Sequence, residues 1–300
     1  MRVKKRTLKI LALAFVILIA VFIIVPRLQG KVYRMGKDSF SYSTERGKPE
    51  FQISLRSQNN NFDVYDISFA SRKFLDNPTL IYGILLMPKA TNVPGVVLLP
   101  GGGITKEAEL KHAEIIANMG YAVLTIDQRG IGQTGGYYLS LEDDYKLFSQ
   151  GKEPVQHMCV FDALRATDVL KEVKNVDKTR IAIAGLSMGG RYAIIAAALD
   201  KNIKGVIAIS SAGFHISNDN SPENKFMLSI DPDNYIARIS PNKLVMIHGS
   251  NDSKVPLEEA EQTFAKAKEP KVFNIAQGCG HGYCEAMHDD LSKALSSILG

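Results

Sequence analysis

Residues 180–191 read Arg-Ile-Ala-Ile-Ala-Gly-Leu-Ser-Met-Gly-Gly-Arg, and they restrict the fold more than any other stretch of the chain. An apolar, β-prone run ends at Leu186 and a helix-forming run begins at Met188, leaving Ser187 alone at the turn between them. The pattern Gly185-x-Ser187-x-Gly189 lets strand and helix approach closely while the serine is held exposed in a strained conformation. Its hydroxyl then stands at a helix N-terminus, where free backbone N–H groups can stabilise a developing oxyanion. A strand that runs straight into a helix is the unit from which parallel sheets are built.

The rest of the chain agrees. From Glu50 come short β-prone runs, FQISL, DVYDISFAS and TLIYGILLMP, broken by polar clusters such as Gln58–Asn61. Beyond Pro94 strands alternate with helices. Strands are predicted at 96–99, 121–126, 180–186, 206–210, 243–248 and 272–275. Helices are predicted at 106–119, 160–173, from 188, at 257–268 and at 285–299. Short apolar strands between helices imply an α/β fold with a mostly parallel central sheet covered on both faces.

A nucleophilic serine needs a base, and the base needs an orienting acid. Leu244–Asn251 reads as an apolar strand that breaks at Gly249 into a polar loop, and Asp252 lies in that loop. The last strand is followed by Gly278-Cys279-Gly280-His281-Gly282, which places His281 in a glycine-rich loop. Ser187, Asp252 and His281 therefore stand in the order and positions of a nucleophile, acid and base. Pro100-Gly101-Gly102-Gly103 follows another strand and can turn backbone N–H groups toward the serine, so the N–H groups of Gly102 and Met188 are the expected oxyanion donors. The G-x-x-x-x-G-K-[ST] spacing of a phosphate loop is absent. Asp231 and Asp233 follow no strand and read as turn and capping residues, and His248 as a structural histidine beside the site. His112, His157, His215 and His288 lack glycine-rich surroundings and read as solvated or locally bonded. Cys279, His281 and Cys284 are three potential ligands without a fourth, which is a poor zinc site.

The N-terminus carries a different signal. Ile10–Val25 holds sixteen residues with no polar side chain, and Leu8 and Lys9 extend it to about the minimum that crosses a bilayer. The run exceeds a usual signal-peptide core and no Ala-x-Ala site follows, so residues 1–30 are expected to form an uncleaved transmembrane helix, with a cleaved signal peptide as the rival. Five basic residues between Arg2 and Lys9 favour a cytoplasmic N-terminus and an extracytoplasmic catalytic domain, or a secreted one after cleavage. Residues 31–49 are polar and irregular and read as a tether, with the catalytic domain spanning 50–300. The chain carries a net charge of +5, and residues 1–31 hold seven basic residues and no acid, which leaves −2 (5 − 7) for the body. That balance excludes the broad basic surface of a nucleic-acid binder. Three cysteines do not make a disulfide framework, although Cys279 and Cys284 are available to pair outside the cytoplasm.

Taken together, PGGG at 100–103, DQRGIGQTGG at 127–136, GLSMGG at 185–190, HGSND at 248–252 and GCGHG at 278–282 resemble the α/β-hydrolase superfamily, in its esterase, dienelactone-hydrolase-like and prolyl-oligopeptidase-like branches. The likeness runs from about Leu80 to Leu299. It implies that Asp127, Arg129, Gly130 and Gly132 shape a site loop without doing chemistry. It also implies two-step acyl transfer through Ser187, with no metal or organic cofactor. Many relatives have His-Gly at the oxyanion loop, where this chain has Pro100-Gly101. Carboxylic ester hydrolysis of a small acyl substrate is the first expectation, peptidase activity of the prolyl-oligopeptidase-like kind the second, and thioester hydrolysis a minor third. A non-catalytic, membrane-tethered binding module is the rival from another class, and an intact triad speaks against it. Residues 137–157 and 214–241 are expected to decide the substrate, with Tyr137, Tyr138, Phe148 and Phe226 as wall candidates.

Overall fold

The computed structural model describes residues 32–300 apart from Asp76 and Asn218. The predicted transmembrane helix lies outside the described residues. Among the described residues no helix is long and apolar enough to cross a membrane.

Eleven strands are described. β1 (Tyr33–Met35) and β2 (Phe40–Tyr42) form a small hairpin. The main sheet is built from β3 (Phe51–Gln58), β4 (Phe62–Phe74), β5 (Asn77–Pro88), β6 (Val93–Leu99), β7 (Ala122–Ile126), β8 (Val176–Leu186), β9 (Gly205–Ile209), β10 (Lys243–Gly249) and β11 (Lys271–Ala276). Their spatial order is β11-β10-β9-β8-β6-β7-β5-β4-β3. Every pair from β7 to β11 is parallel, and β5, β4 and β3 add an antiparallel flank. This is the expected mostly parallel sheet, and the apolar runs of β7 and β9 are buried at every residue because helices cover both faces.

The helices are α1 (Leu110–Asn118), α2 (Leu141–Ser149), α3 (Val155–Glu172), α4 (Met188–Leu199), α5 (Pro222–Ile230), α6 (Leu257–Ala265) and α7 (His288–Leu299). α3 and α4 pack on one face in a core with Leu164, Ile183 and Ile194, and α1 and α7 cover the other, around Ile116, Val96 and Leu295. Two helices go beyond the predicted elements. α2 and α5 are short, capped by Ser140 and Ser221, whose hydroxyls accept from Asp143 N and Asn224 N. They meet through Tyr145, Phe148 and Phe226, with ring centroids 5.5–5.8 Å apart.

The expected tether differs most. Residues 32–49 are docked on the body, because their few apolar and basic side chains find buried partners. Phe40 stacks on His157 at 4.0 Å, and Tyr42 donates to Glu153 at 2.6 Å. Arg46 bonds Asp168 at 2.7 and 2.8 Å and Asp200 at 2.5 Å with almost no exposure. The folded unit therefore begins by Val32, well before Glu50. His157 is likewise not solvated. It is wholly buried, with Nδ1 3.0 Å from the Tyr33 hydroxyl and Nε2 2.8 Å from Ser229 Oγ. The Ser229 hydroxyl donates to Phe226 O, so its oxygen accepts from Nε2–H and Nδ1 accepts from Tyr33. That fixes the neutral tautomer, and burial lowers the His157 pKa to about 3.

Candidate active site

Ser187 sits between β8 and α4 with φ 51° and ψ −117°, a conformation non-glycine residues rarely adopt. Two glycines permit it. A β-carbon at Gly185 would fall on the Gly189 carbonyl, and one at Gly189 on the carbonyl oxygens of Leu99 and Pro100. The turn is therefore pressed against both its own helix and the oxyanion loop. Ser187 N donates to Ile209 O at 2.9 Å, which locks the turn to β9.

The structure brings Asp252 and His281 together. His281 Nδ1 lies 2.9 and 3.0 Å from the two Asp252 oxygens. Asp252 Oδ1 also accepts from the N–H groups of Lys254 and Val255, at 3.0 and 2.9 Å. Burial opposes ionisation of Asp252, yet the Val255 N–H and the His281 ring outweigh it and hold the carboxyl below its ordinary pKa. An ionised Asp252 keeps the proton on Nδ1 and leaves Nε2 free to act as a base. His248 is buried next to this pair. Its Nε2 donates to Val255 O at 2.8 Å and stands 3.5 Å from Asp252, which fits a structural histidine supporting the acid loop.

The base loop is held from three sides. Asn251 N donates to Cys279 O at 2.9 Å, and Ser210 Oγ accepts from Gly282 N at 3.0 Å. Cys279 and Cys284 form a disulfide around His281, with α-carbons 6.1 Å apart. As bonded cystine sulfurs they are not metal ligands. Among the described residues no group of three His, Cys, Asp or Glu side chains could hold a metal ion. Ser210 adjoins Ile209, the partner of Ser187 N, so the Ser187 and His281 loops are tied to the same strand end. No hydrogen bond joins Ser187 Oγ to His281 among the described residues. Such bonds commonly tighten only when substrate binds.

The glycine loop after β6 stands beside Ser187. A β-carbon built on Gly101 would lie 3.8 Å from Ser187 Cβ, and one on Gly102 3.3 Å from the Met188 methyl and the Tyr138 hydroxyl. Among the described residues neither Gly102 N nor Met188 N donates to a protein acceptor, so both expected donors are free.

The loop is anchored by residues that motif reading assigned only a general shaping role. Asp127, at the end of β7, accepts from Lys106 N and Lys106 Nζ, both at 2.8 Å, and from Gln133 N at 2.9 Å. Both side chains are inaccessible to solvent. Gln128 Nε2 donates to Pro100 O at 2.7 Å. Arg129 forms a buried two-point bond with Asp162, at 2.6 and 2.8 Å. Sequence reasoning missed Lys106 altogether. A lysine one turn after a glycine loop reads as exposed, and only its buried partner shows otherwise.

Asp231 is a buried cap. It accepts from Phe214 N and Asp233 N at 3.0 Å, and burial followed by the nearby Asp233 raises its pKa. Asp233 pairs with His215 at 2.7 Å. Neither reaches the His281 ring, as expected of capping residues. Phe226 is buried against α2, whereas Tyr137 and Tyr138 are more than half exposed beside the glycine loop.

Comparison with known proteins adds to this geometry. Residues 45–212 match the family model described as acetyl xylan esterase, a span that holds Ser187, Met188 and Gly102 and ends before Asp252 and His281. The uncharacterized protein YfhR of Escherichia coli O157:H7 is 33% identical over 135 residues, 43% of this chain and 48% of that protein. The chain spans about half the length of the curated relatives it matches. Among solved structures, the acetyl xylan esterase of Paenibacillus sp. R4 superposes with a TM-score of 0.71 at 20% identity, covering 85% of this chain and 90% of that one. The α/β hydrolase GrgF of Penicillium sp. sh18 does so with 0.60 at 21% identity, covering 79% and 99%. These likenesses establish the α/β-hydrolase fold.

Proposed function

The chain belongs to the acetyl xylan esterase family, a group of serine hydrolases of the α/β-hydrolase fold, and from that premise we propose that it cleaves carboxylic esters with Ser187 as nucleophile, His281 as base and Asp252 as acid. The Asp252–His281 pair carries the reading, and a serine in a strained turn, tied to the same β9 strand end as the His281 loop, supports it. His281 takes the proton of Ser187 Oγ as the oxygen attacks the ester carbon. The N–H groups of Gly102 and Met188 hold the oxyanion, and His281 returns the proton to the leaving alcohol. Water then attacks the acyl-serine by the same route, releasing the acid and the free serine. Short acyl esters are the favoured substrates, in keeping with the acetyl group in the family's description.

Membrane attachment is part of the proposal. The apolar run Ile10–Val25 and the basic residues before it support an N-terminal anchor with the domain outside the cytoplasm. A Cys279–Cys284 disulfide is the form expected in an oxidising compartment.

The test is a substrate panel on the full-length protein: 4-nitrophenyl acetate, butyrate and octanoate against thioesters and aminoacyl anilides. Acetate hydrolysis exceeding anilide cleavage by at least about a hundredfold is expected of an esterase. Preferential anilide cleavage would move the protein to the peptidase branch.

A further inference from the structure

The active-site mouth is rimmed by apolar side chains that the core does not explain. Tyr137 and Tyr138 are 61% and 52% exposed, Leu75 50%, Ile104 40% and Leu141 38%. Tyr138 and Ile104 border the glycine loop, and Tyr137, Leu75 and Leu141 lie on the segments next to them. Phe74 packs on Tyr137 at 5.4 Å, Tyr138 reaches Gly102, and Ile104 lies 3.6 Å from the β-carbon position of Gly101. Leu75 tips the β4–β5 hairpin. β5 begins at Asn77, six residues before Gly83 pairs with Ile126 at the end of β7, so the tip stands about 20 Å past that edge. Leu75 has φ 45°, where glycine or asparagine is the residue a turn selects. An exposed leucine in that conformation gains nothing from packing.

Charge and chain path point the same way. Arg34, Lys73 and Lys152 are exposed on this side and form no ion pair among the described residues. The carboxylates of Glu142 and Asp143 on α2 are both bridged by Lys146, at 3.1 and 3.0 Å. The chain enters here as well. Val32 is exposed, and Tyr33 bonds His157 in the first turn of α3, next to Val155, whose N–H donates to Asp144 of α2 at 2.6 Å. Only residues 26–31 separate Val32 from the apolar run, a span of at most about 20 Å.

The geometry points to a lipid bilayer as the occupant of this rim: Leu75, Tyr137, Tyr138, Ile104 and Leu141 seat in the headgroup layer, and the mouth faces the membrane. The substrate is then an acyl ester presented at the bilayer surface. The inference rests on the membrane-anchor reading above. Aromatic and aliphatic side chains with flanking cations are the composition that partitions to such an interface.

The chain contains no tryptophan, so one introduced residue is a unique probe. Full-length Tyr137→Trp and Thr91→Trp, the latter exposed in the β5–β6 turn at the opposite end, are reconstituted in phosphatidylcholine–phosphatidylglycerol vesicles with brominated acyl chains. Fluorescence of the Tyr137→Trp protein should be quenched by about half and that of the Thr91→Trp protein by under roughly a tenth, given the shallow depth of interfacial side chains. Leu75→Gly, which relieves the turn, should fold normally and hydrolyse soluble 4-nitrophenyl acetate at the parent rate. It should lose roughly three- to tenfold in kcat/KM on a vesicle-borne ester. A high-salt wash separates the two readings. Retention of an unquenched Tyr137→Trp protein overturns the facing inference and leaves the anchor standing. Release by the wash, with the same protein quenched on added vesicles, removes the anchor and supports the docking rim. Equal quenching at both positions, or equal loss by Leu75→Gly on both substrates, overturns the inference.

Discussion

β7 and β9, in the middle of the sheet, are buried at every residue, whereas β3, at its antiparallel edge, is exposed at seven of eight. Three of the four candidate-site loops hang from the buried half, and the fourth leaves β11, the opposite edge strand, whose one buried residue is Ala276 at the site end. Ser187 follows β8, the glycine loop follows β6, Asp252 follows β10 and His281 follows β11. Strands packed on both faces fix their own ends, so the loops that leave them begin at defined points and need only short spans to meet. The antiparallel flank is looser at its outer strand β3 and at its hairpin tip. It carries the exposed apolar tip at Leu75, whereas the β1–β2 hairpin docks mainly on α3, through His157 and Phe161. The Ser187 and glycine loops leave strand ends fixed by packing, whereas the tip at Leu75 leaves an open hairpin.

If that division is right, substitutions in the buried half should cost activity, and substitutions around the docked hairpin should cost stability. The largest effect is expected at the acid. Asp252→Asn should reduce kcat by about four orders of magnitude, because the amide favours the wrong histidine tautomer, with the fold retained. Stopped assays on 4-nitrophenyl acetate with a melting curve will show both. A loss under tenfold would place the acid elsewhere.

A smaller effect should follow at Lys106, which ties the glycine loop to Asp127. Lys106→Met leaves a buried carboxylate without its cation, so about 3 kcal/mol of stability should be lost. Loosening one oxyanion donor should also lower kcat by roughly a hundredfold with little change in KM. Denaturant titration and steady-state kinetics measure the two parts. Lost stability with full kcat would show that the pair holds the fold but not the oxyanion loop.

The third expectation belongs to the other region. His157 is neutral in the fold, with its pKa lowered to about 3, while in the unfolded chain it titrates near its ordinary value of 6.5. Between those values the unfolded chain binds a proton that the folded one does not, so stability falls as pH drops below about 6.5. At pH 5 this one group removes about 2 kcal/mol. His157→Gln should flatten that part of the stability–pH curve and leave ester turnover at pH 8 within about twofold. An unchanged slope would mean that His157 is not the buried titrating group.

Much of the buried half was legible because its signals are local. A strand, a serine and a helix in direct succession carry their own geometry, and glycines at 185 and 189 mark where backbones touch. Asp252 and His281 were legible from their positions after strands. The rest depends on partners distant in sequence. Residues 32–49 look like a polar tether because Arg46 reads as solvated, and only Asp168 and Asp200, more than a hundred residues on, make it a buried anchor. Lys106 went unremarked and His157 read as solvated or locally bonded for the same reason, since burial of a polar side chain is decided by what satisfies it. α2 and α5 are too short for a clear period, and their aromatic contact joins segments about eighty residues apart.

Covalent capture reports which side chain attacks. Full-length protein treated with a fluorophosphonate should carry one adduct, located at Ser187 by peptide mass, and Ser187→Ala should melt like the parent and carry none. An adduct on another residue, or labelling that persists in a folded Ser187→Ala protein, would contradict the account.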